Sequence, residues 1–506
     1  MLKAQCGDFS SAVICLVNAS KLPTNLRREY FRQLEISGYV YTLAGEYAKA
    51  EKFLQDGEKL AYEIAPESTL VSQIKRLFGD LYILTGKFDL AEKYATDGLA
   101  IAEKINERLE VAACYRVLAP VESHRGNGAK AREWYKKAID LFGLISARYE
   151  LAVTRYLAAC SGLYEQSERI AMLYLAKEYF ESEEVAPYIE KVSAELAKLS
   201  APNSAHIHTK AQSSGGITVI AVSGAMRKTL EKVSYIAPSD MNVLLTGETG
   251  TGKDLLAEYV HTQSGRKGKF IAVNVAALPS ELMESELFGH SKGAFTNART
   301  EKLGLMQEAH EGTLFLNEIG EAPLELQAKL LQVIETRKLR RLGETSERAV
   351  NFRLIAATNQ DLAERIREGK FRSDLYHRLN QAPIALPSLR ERPEEISPLV
   401  SHFLANEGCD IASGNGELSE LTKVLSDRVW PGNVRELAST IKRLWVMSGH
   451  DLARMIQLAA EEVEQLAELD ELEAALSESG GNQRAAARRL GIDESTLRYH
   501  LKKRGQ

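Results

Sequence analysis

Apolar and polar positions change texture several times along the 506 residues, and each change predicts a different kind of element. Over residues 1–200 one six-residue turn recurs. It opens at Gly7, Gly45, Gly86, Gly126 and Gly162, with spacings of 38, 41, 40 and 36 residues. Two residues later stands an aromatic (Phe9, Tyr47, Phe88, Tyr164), except in the fourth turn, where Gly128 replaces it. Three residues further on stands a small residue: Ala12, Ala50, Ala91, Ala131 or Ser167. A period of this size predicts stacked helical hairpins. The glycine ends the first helix, the aromatic packs the turn, and the small residue lets the second helix approach closely. Residues 201–216, rich in Ser, Ala and Gly, predict a linker, in which His206 and His208 are solvated. From Ile217 short apolar runs (243–246, 270–275, 313–316, 352–357) alternate with helical patterns, which predicts a parallel α/β sheet with helices on both faces. After about Pro387 the pattern is helical as far as about His450.

The repeated turns resemble tetratricopeptide repeats, somewhat lengthened. Such a solenoid implies a concave surface that takes a protein or peptide signal. The first turn comes at residue 7 and leaves almost no leading helix, so the natural start is expected upstream of Met1.

Composition narrows the class without choosing within it. With 44% hydrophobic and 26% charged residues, a mostly disordered, collagen-like or membrane-embedded chain is excluded. The longest early apolar run, residues 12–17, is too short for a bilayer and lacks a signal-like context, so a cytoplasmic protein without a membrane partner is expected. Cys6, Cys15, Cys114, Cys160 and Cys409 show no CxxC spacing, and the ten histidines include no HExxH, so neither a disulfide framework nor a zinc module is expected.

The net charge of −5 is unevenly distributed. Residues 451–480 carry nine acidic residues and one basic, Arg454, whereas 482–506 carry seven basic and two acidic ones. A basic module at the end of an acidic chain points to nucleic acid. Its pattern predicts three helices, 472–479, 484–490 and 495–503, with Asn482 and Asp493 as N-caps. Leu490, Ile492, Leu497 and Leu501 supply a core small enough to favour dimerisation. The arrangement is a helix-turn-helix, with the last helix in the major groove. Thr496, Arg498, Tyr499 and His500 are candidates for base or phosphate contacts, and Lys502, Lys503 and Arg504 for phosphates. Glu494, near the start of that helix, suits a cytosine amino group or the helix N-terminus.

The sharpest chemical signal is Gly247-Glu248-Thr249-Gly250-Thr251-Gly252-Lys253-Asp254, between a strand and a helix. Glycines let backbone N–H groups curl around phosphate oxygens, and a lysine here reaches the β- and γ-phosphates. Downstream, Thr313-Leu314-Phe315-Leu316-Asn317-Glu318 is an apolar strand ending where Asp-Glu is expected, the Asp for Mg²⁺ and the Glu to polarise water.

Residues 217–448 resemble the AAA+ domain of bacterial enhancer-binding proteins, the sigma-54-dependent transcriptional activators. The phosphate loop ending in an acidic residue, Asp254, fits that family, as does the stretch from Glu284 to His290. The family's GAFTGA loop stands here as Gly293-Ala294-Phe295-Thr296-Asn297-Ala298, which implies contact with the sigma factor. The resemblance implies that Asn359 watches the γ-phosphate and that Arg372 and Arg378 reach a neighbouring subunit's nucleotide. It implies too that Arg435, in Trp430-Pro431-Gly432-Asn433-Val434-Arg435-Glu436-Leu437, contacts nucleotide and that Asn274 restrains Glu318. The terminal module is similar to the Fis-type domain of the same family. Implied partners are ATP, Mg²⁺, DNA at an upstream site, the sigma-54 polymerase holoenzyme and further copies of the chain, from dimer to hexamer.

Two residues depart from the family pattern. Asn317 is neutral and offers one carbonyl oxygen to a cation that prefers carboxylates, which predicts weak Mg²⁺ holding and slow hydrolysis. Asn297 adds bulk where the family has glycine, although Asn tolerates positive φ. Two readings stand at this point: a remodeller of sigma-54 polymerase, and a DNA-bound regulator or scaffold that binds ATP without turning it over. The expected architecture is an α-solenoid (1–200), a linker (201–216), an α/β AAA+ domain (217–388), its helical lid (389–450), an acidic linker (451–469) and a small all-α helix-turn-helix (470–506).

Overall fold

Four glycine turns set the spacing of the N-terminal array. In the computed structural model, which describes residues 27–199, 212–214, 217–294, 300–409, 415–480 and 482–490, nine helices among the described residues precede the α/β region. They are α1 (Arg27–Leu43), α2 (Tyr47–Ile64), α3 (Thr69–Leu84), α4 (Phe88–Lys104), α5 (Arg108–His124), α6 (Gly128–Leu144), α7 (Arg148–Cys160), α8 (Gln166–Ser182) and α9 (Ala186–Leu199). Gly45, Gly86, Gly126 and Gly162 all sit at φ between 71 and 80°, the left-handed form that ends a helix without Cβ strain. After Gly45, Gly86 and Gly126 the N–H of the next residue closes the turn on a carbonyl five residues back, as in Lys87 to Tyr82 at 2.9 Å, whereas after Gly162 the Leu163 N–H donates to Ser161 Oγ at 3.3 Å. Ala50, Ala91 and Ala131 are fully buried, as close helix approach requires. Phe88 stacks on His124 of the next hairpin at 3.9 Å between centroids. The expected turn at Gly7 lies outside the described residues.

Five strands form the central sheet: β1 (Val243–Thr246), β2 (Phe270–Asn274), β3 (Thr313–Asn317), β4 (Arg353–Thr358) and β5 (Ala382–Ala385). Their order is β5-β1-β4-β3-β2, with β3 parallel to both β4 and β2. Leu314, Leu316, Leu354 and Ala356 bury one face under Leu326, Leu330, Val333, Leu375 and Leu379. β5 was not anticipated from the sequence: its four apolar residues include Pro383, which lacks an N–H for the ladder and argues against a strand. The flanking helices are α10 (Gly224–Ile236), α11 (Lys253–Gln263), α12 (Ser280–Phe288), α13 (Leu324–Thr336) and α14 (Ser373–Leu379). Arg353, fully buried, donates to Ile236 O at 3.0 Å, Met241 O at 3.1 Å and Ala237 O, satisfying the orphan carbonyls at the end of α10. Burial pushes its guanidinium down to about 10.

The lid consists of α15 (Ile396–Asn406), α16 (Asn415–Ser426) and α17 (Asn433–Met447). It is followed by α18 (Leu452–Glu478) and α19 (Gln483–Leu490). Two expected linkers contain regular structure. Gln212–Ser214 pairs antiparallel with Ile217–Val219. The acidic stretch 451–469 belongs to α18, a single 27-residue helix. Its Ala, Leu and Glu residues are strong helix formers, no Gly or Pro interrupts them, and Asp451 Oδ1 caps the first turn by accepting from Arg454 N at 3.0 Å.

Two compact units emerge: Met1–His206 with Glu231–Leu244 and Val260–Ile384, and Ile207–Leu230 with Leu245–Tyr259 and Ala385–Gln506. The phosphate loop therefore groups with the lid. No helix among the described residues is long and apolar enough to cross a membrane.

Candidate nucleotide site and its flanking elements

The phosphate loop leaves β1 and runs into α11, and its conformation needs the glycines it has. Gly247, Gly250 and Gly252 adopt φ of 149, 80 and 105°. A Cβ on Gly250 would collide with Gly432 O of the lid. Lys253 opens α11, and its Nζ donates back to Gly247 O at 2.8 Å and Glu248 O at 3.1 Å. Thr251 Oγ1 donates to Glu248 O at 2.8 Å. The lysine thus sits inside the curl of the loop, where phosphate oxygens are expected.

The lid clamps this loop through polar groups. Asn433 is fully buried at φ 53°, and its Nδ2 donates to Glu248 Oε2 and Thr249 O, both at 3.1 Å. Its Oδ1 accepts from Leu389 N at 2.7 Å. Glu248 also pairs with Arg390, which together with Asn433 holds its carboxyl below the usual carboxylate range. Arg435 N donates to Gly250 O at 3.2 Å. Arg392, nearly fully buried, donates to Thr251 O at 2.8 Å and to Glu395 Oε2 at 2.9 Å. Glu395 in turn accepts from Ser223 Oγ at 2.8 Å. Asn433 lay within a motif visible in the sequence, and its tolerance of positive φ is the signal that fits it to this turn. Arg390, Arg392 and Glu395 gave no signal.

The second group of site residues lies at the ends of the sheet strands. Asn317 ends β3 opposite Asn274 of β2. Glu318 follows in the left-handed conformation, with its N–H donated to Asn317 Oδ1 at 2.9 Å. Its carboxylate accepts from Asn359 N at 3.3 Å. Asn274 Oδ1 accepts from Ala276 N at 3.0 Å and caps a short turn. The strand ends therefore bring Glu318 and Asn359 together, through the Asn359 backbone.

The two finger candidates differ. Arg372 pairs with Asp374 two residues away, at 2.8 and 3.1 Å, and its side chain is 43% exposed. Arg378 is 23% exposed and bonded through all three nitrogens. Nε and Nη2 meet Glu335 of α13 at 2.9 Å, and Nη1 meets Asp140 of α6.

The signature loop has a fixed base. Gly289–His290 pairs with Lys302–Leu303, and His290 bonds Ser285 Oγ at 2.8 Å and Thr300 O at 3.0 Å. Gly293 turns at φ 83° before Ala294. Phe295, Thr296, Asn297 and Ala298 lie outside the described residues, as do Thr496, Arg498, Tyr499, His500, Lys502 and Lys503. Of the terminal module, α19 is capped by Asn482 Oδ1, which accepts from Arg484 N and Ala485 N at 3.1 Å, as expected. Ala486 and Ala487 pack on Ala475 of α18.

Comparison with known proteins matches this layout. Residues 219–385 match the family described as the Sigma-54 interaction domain, and 390–475 the AAA+ ATPase lid domain. Residues 465–503 match the bacterial regulatory proteins of the Fis family, and 68–143 the tetratricopeptide repeat. Regulatory protein AtoC of Escherichia coli (strain K12) is 40% identical over 312 residues, spanning 57% of this chain and 68% of AtoC. The DNA-binding transcriptional regulator NtrC of Rhizobium meliloti (strain 1021) is 42% identical over 244 residues, 47% of this chain and 50% of NtrC. The crystal structure of NtrX from Brucella abortus in complex with ATP is 31% identical, covering 64% of this chain and 76% of NtrX, with a TM-score of 0.41. The chain spans about half the length of several curated relatives that it matches.

Proposed function

Because the chain belongs to the family of sigma-54-dependent transcriptional regulators, we propose that it is a DNA-bound regulator that uses ATP held between AAA+ subunits to act on RNA polymerase carrying sigma-54. The observation that carries this reading is the phosphate loop. Lys253 is curled inside three glycine turns next to a buried lid asparagine, between elements that match the Sigma-54 interaction domain. An incoming triphosphate takes the Lys253 ammonium from the two loop carbonyls and meets the N-terminus of α11.

The remaining roles follow the family assignment. Glu318 polarises the attacking water, with Asn274 restraining it, while Asn359 and Arg435 read the nucleotide. Arg372 and Arg378 serve the nucleotide of the next subunit in a hexameric ring, where an arginine finger contributes about 10³-fold or more to turnover. Residues 293–298 contact the sigma factor, and Thr496, Arg498, Tyr499, His500, Lys502 and Lys503 contact DNA. The repeats receive a protein or peptide signal, and the protein acts in the cytoplasm.

The side chains near the site do not form a Mg²⁺ cage. No group of three His, Cys, Asp or Glu suited to a metal occurs among the described residues, and Asn317 Oδ1 is engaged by Glu318 N. The ion therefore arrives on the nucleotide, with Asn317 at most a weak neutral contact, and hydrolysis is slow.

Transcription in vitro from a sigma-54 promoter bearing the protein's DNA site tests the reading. Open-complex formation should require ATP and disappear with Lys253→Ala, which also lowers ATP affinity by roughly 100-fold through lost charge-assisted hydrogen bonds. Asn317→Asp should raise turnover. ATP-independent transcription, or full activity in Lys253→Ala, would sink the proposal.

A further inference from the structure

The neighbouring strands β2 and β3 end in asparagines that face each other in register, Asn274 and Asn317. Each turns its amide oxygen onto the backbone just beyond it. Asn274 Oδ1 accepts from Ala276 N at 3.0 Å, and Asn317 Oδ1 accepts from Glu318 N at 2.9 Å. A backbone N–H can be met only by the oxygen of an amide, so these bonds settle which way round both groups sit. Asn317, half-buried, therefore keeps its oxygen on its own chain. What it can offer to a ligand at the strand end is its –NH2, two donors with no lone pair for a metal. An aspartate in the same pose would carry a second, negative oxygen where that –NH2 stands. The carboxylate beside it, Glu318, is turned onto Asn359 N at 3.3 Å. These strand ends do not fit a divalent cation, and among the described residues no group of three His, Cys, Asp or Glu supplies one elsewhere.

The same substitution that removes a metal ligand creates an anion ligand. A carboxylate at this position repels a metal-free triphosphate by like charge, whereas a neutral amide does not. Its N–H groups can also donate to a phosphate oxygen in a charge-assisted hydrogen bond. We propose that the strand ends take the nucleotide without its ion: the Asn317 –NH2 donates to a terminal phosphate oxygen, and ATP binding is independent of Mg²⁺. The inference rests on the nucleotide reading above, in which position 317 faces the phosphates.

The test titrates the full-length chain with ATP and with ADP by calorimetry, once in EDTA and once in Mg²⁺. In the unaltered chain the Kd for ATP should differ between the two media by less than about tenfold. Asn317→Asp, nearly isosteric, should weaken ATP binding in EDTA by roughly tenfold or more through like-charge repulsion, with no loss in Mg²⁺. Asn317→Ala removes the donors without adding charge. It should weaken ATP in EDTA roughly tenfold and leave ADP unmoved, as expected for one charge-assisted hydrogen bond to the terminal phosphate. A larger loss of ATP affinity in EDTA in the unaltered chain overturns the inference. So does Asn317→Ala binding metal-free ATP as tightly as the unaltered chain. If a variant does not fold, the unaltered chain in the two media decides alone. Lys253→Ala in the same titration separates the two layers. If it leaves ATP binding unchanged, the nucleotide reading fails and this inference with it. If it abolishes binding in both media, the phosphate loop stands as the site and the inference is judged on Asn317.

Discussion

The repeat array and the phosphate loop are held by opposite means. In the array, alanines with no exposed surface lie under neighbouring helices, and charge is buried only in a paired ladder. Arg76 meets Asp80 and Glu110 at 3.0 and 3.2 Å, and Arg116 meets Glu150. At the phosphate loop, side chains from the lid bond to backbone carbonyls of the loop: Asn433 to Thr249 and Arg392 to Thr251. Apolar packing fixes shape without regard to what passes over it. Hydrogen bonds to carbonyls tie the lid to the position of the loop itself.

Substitutions that exchange these two logics should break the comparison unequally. The largest loss is expected from Arg116→Ala, which leaves the half-buried Glu150 without its nearest cation. The destabilisation should be about 3 kcal/mol by urea unfolding of the array, the low end for a broken buried pair because Glu150 keeps contact with solvent. Burial opposes ionisation of Glu150, yet Arg116 and Arg76 hold its carboxyl below the usual range. The stability it contributes is therefore present above the ordinary carboxylate range and lost as pH falls through the depressed folded value, and Arg116→Ala should flatten that acid limb. Next comes Ala91→Leu, which overfills a fully buried site and should cost about 1–3 kcal/mol with ATP affinity unchanged. The smallest effect belongs to Asn433→Ala. It should weaken ATP binding about tenfold, the loss of one buried hydrogen-bond hub, with the array's unfolding midpoint unmoved. A fall in ATP affinity with Ala91→Leu, or none with Asn433→Ala, would erase the distinction.

The same contrast explains what could be read from the chain. Repeat turns were legible because Gly45, Gly86 and Gly126 each impose the same local geometry and keep a small residue five positions on. The strands 243–246 and 313–316 were legible as apolar runs between turns. The acidic stretch 451–469 reads as a linker when charge alone is weighed, and its helical form follows from the helix propensity of its Ala, Leu and Glu. Of the site, the glycines, Lys253 and Glu318 announced themselves by spacing. The clamp did not, since Asn433 and Glu248 are 185 residues apart and Arg378 and Asp140 are 238 apart. No local pattern constrains partners at that separation. Only the folded chain brings them together.

The unbroken helix α18 has a mechanical consequence. Its 27 residues, at about 1.5 Å each, make a rod roughly 40 Å long between the lid core and α19. Met455 and Ala459 are seated in the lid at one end, and Ala475 receives Ala486 and Ala487 at the other. Because the rod has no hinge, α19 inherits the lid's angular phase about the rod axis. Each inserted residue would turn α19 by about 100° relative to the lid, whereas seven would return it nearly to its starting azimuth. The rod thus acts as a drive shaft, in which length is forgiving and rotation is not.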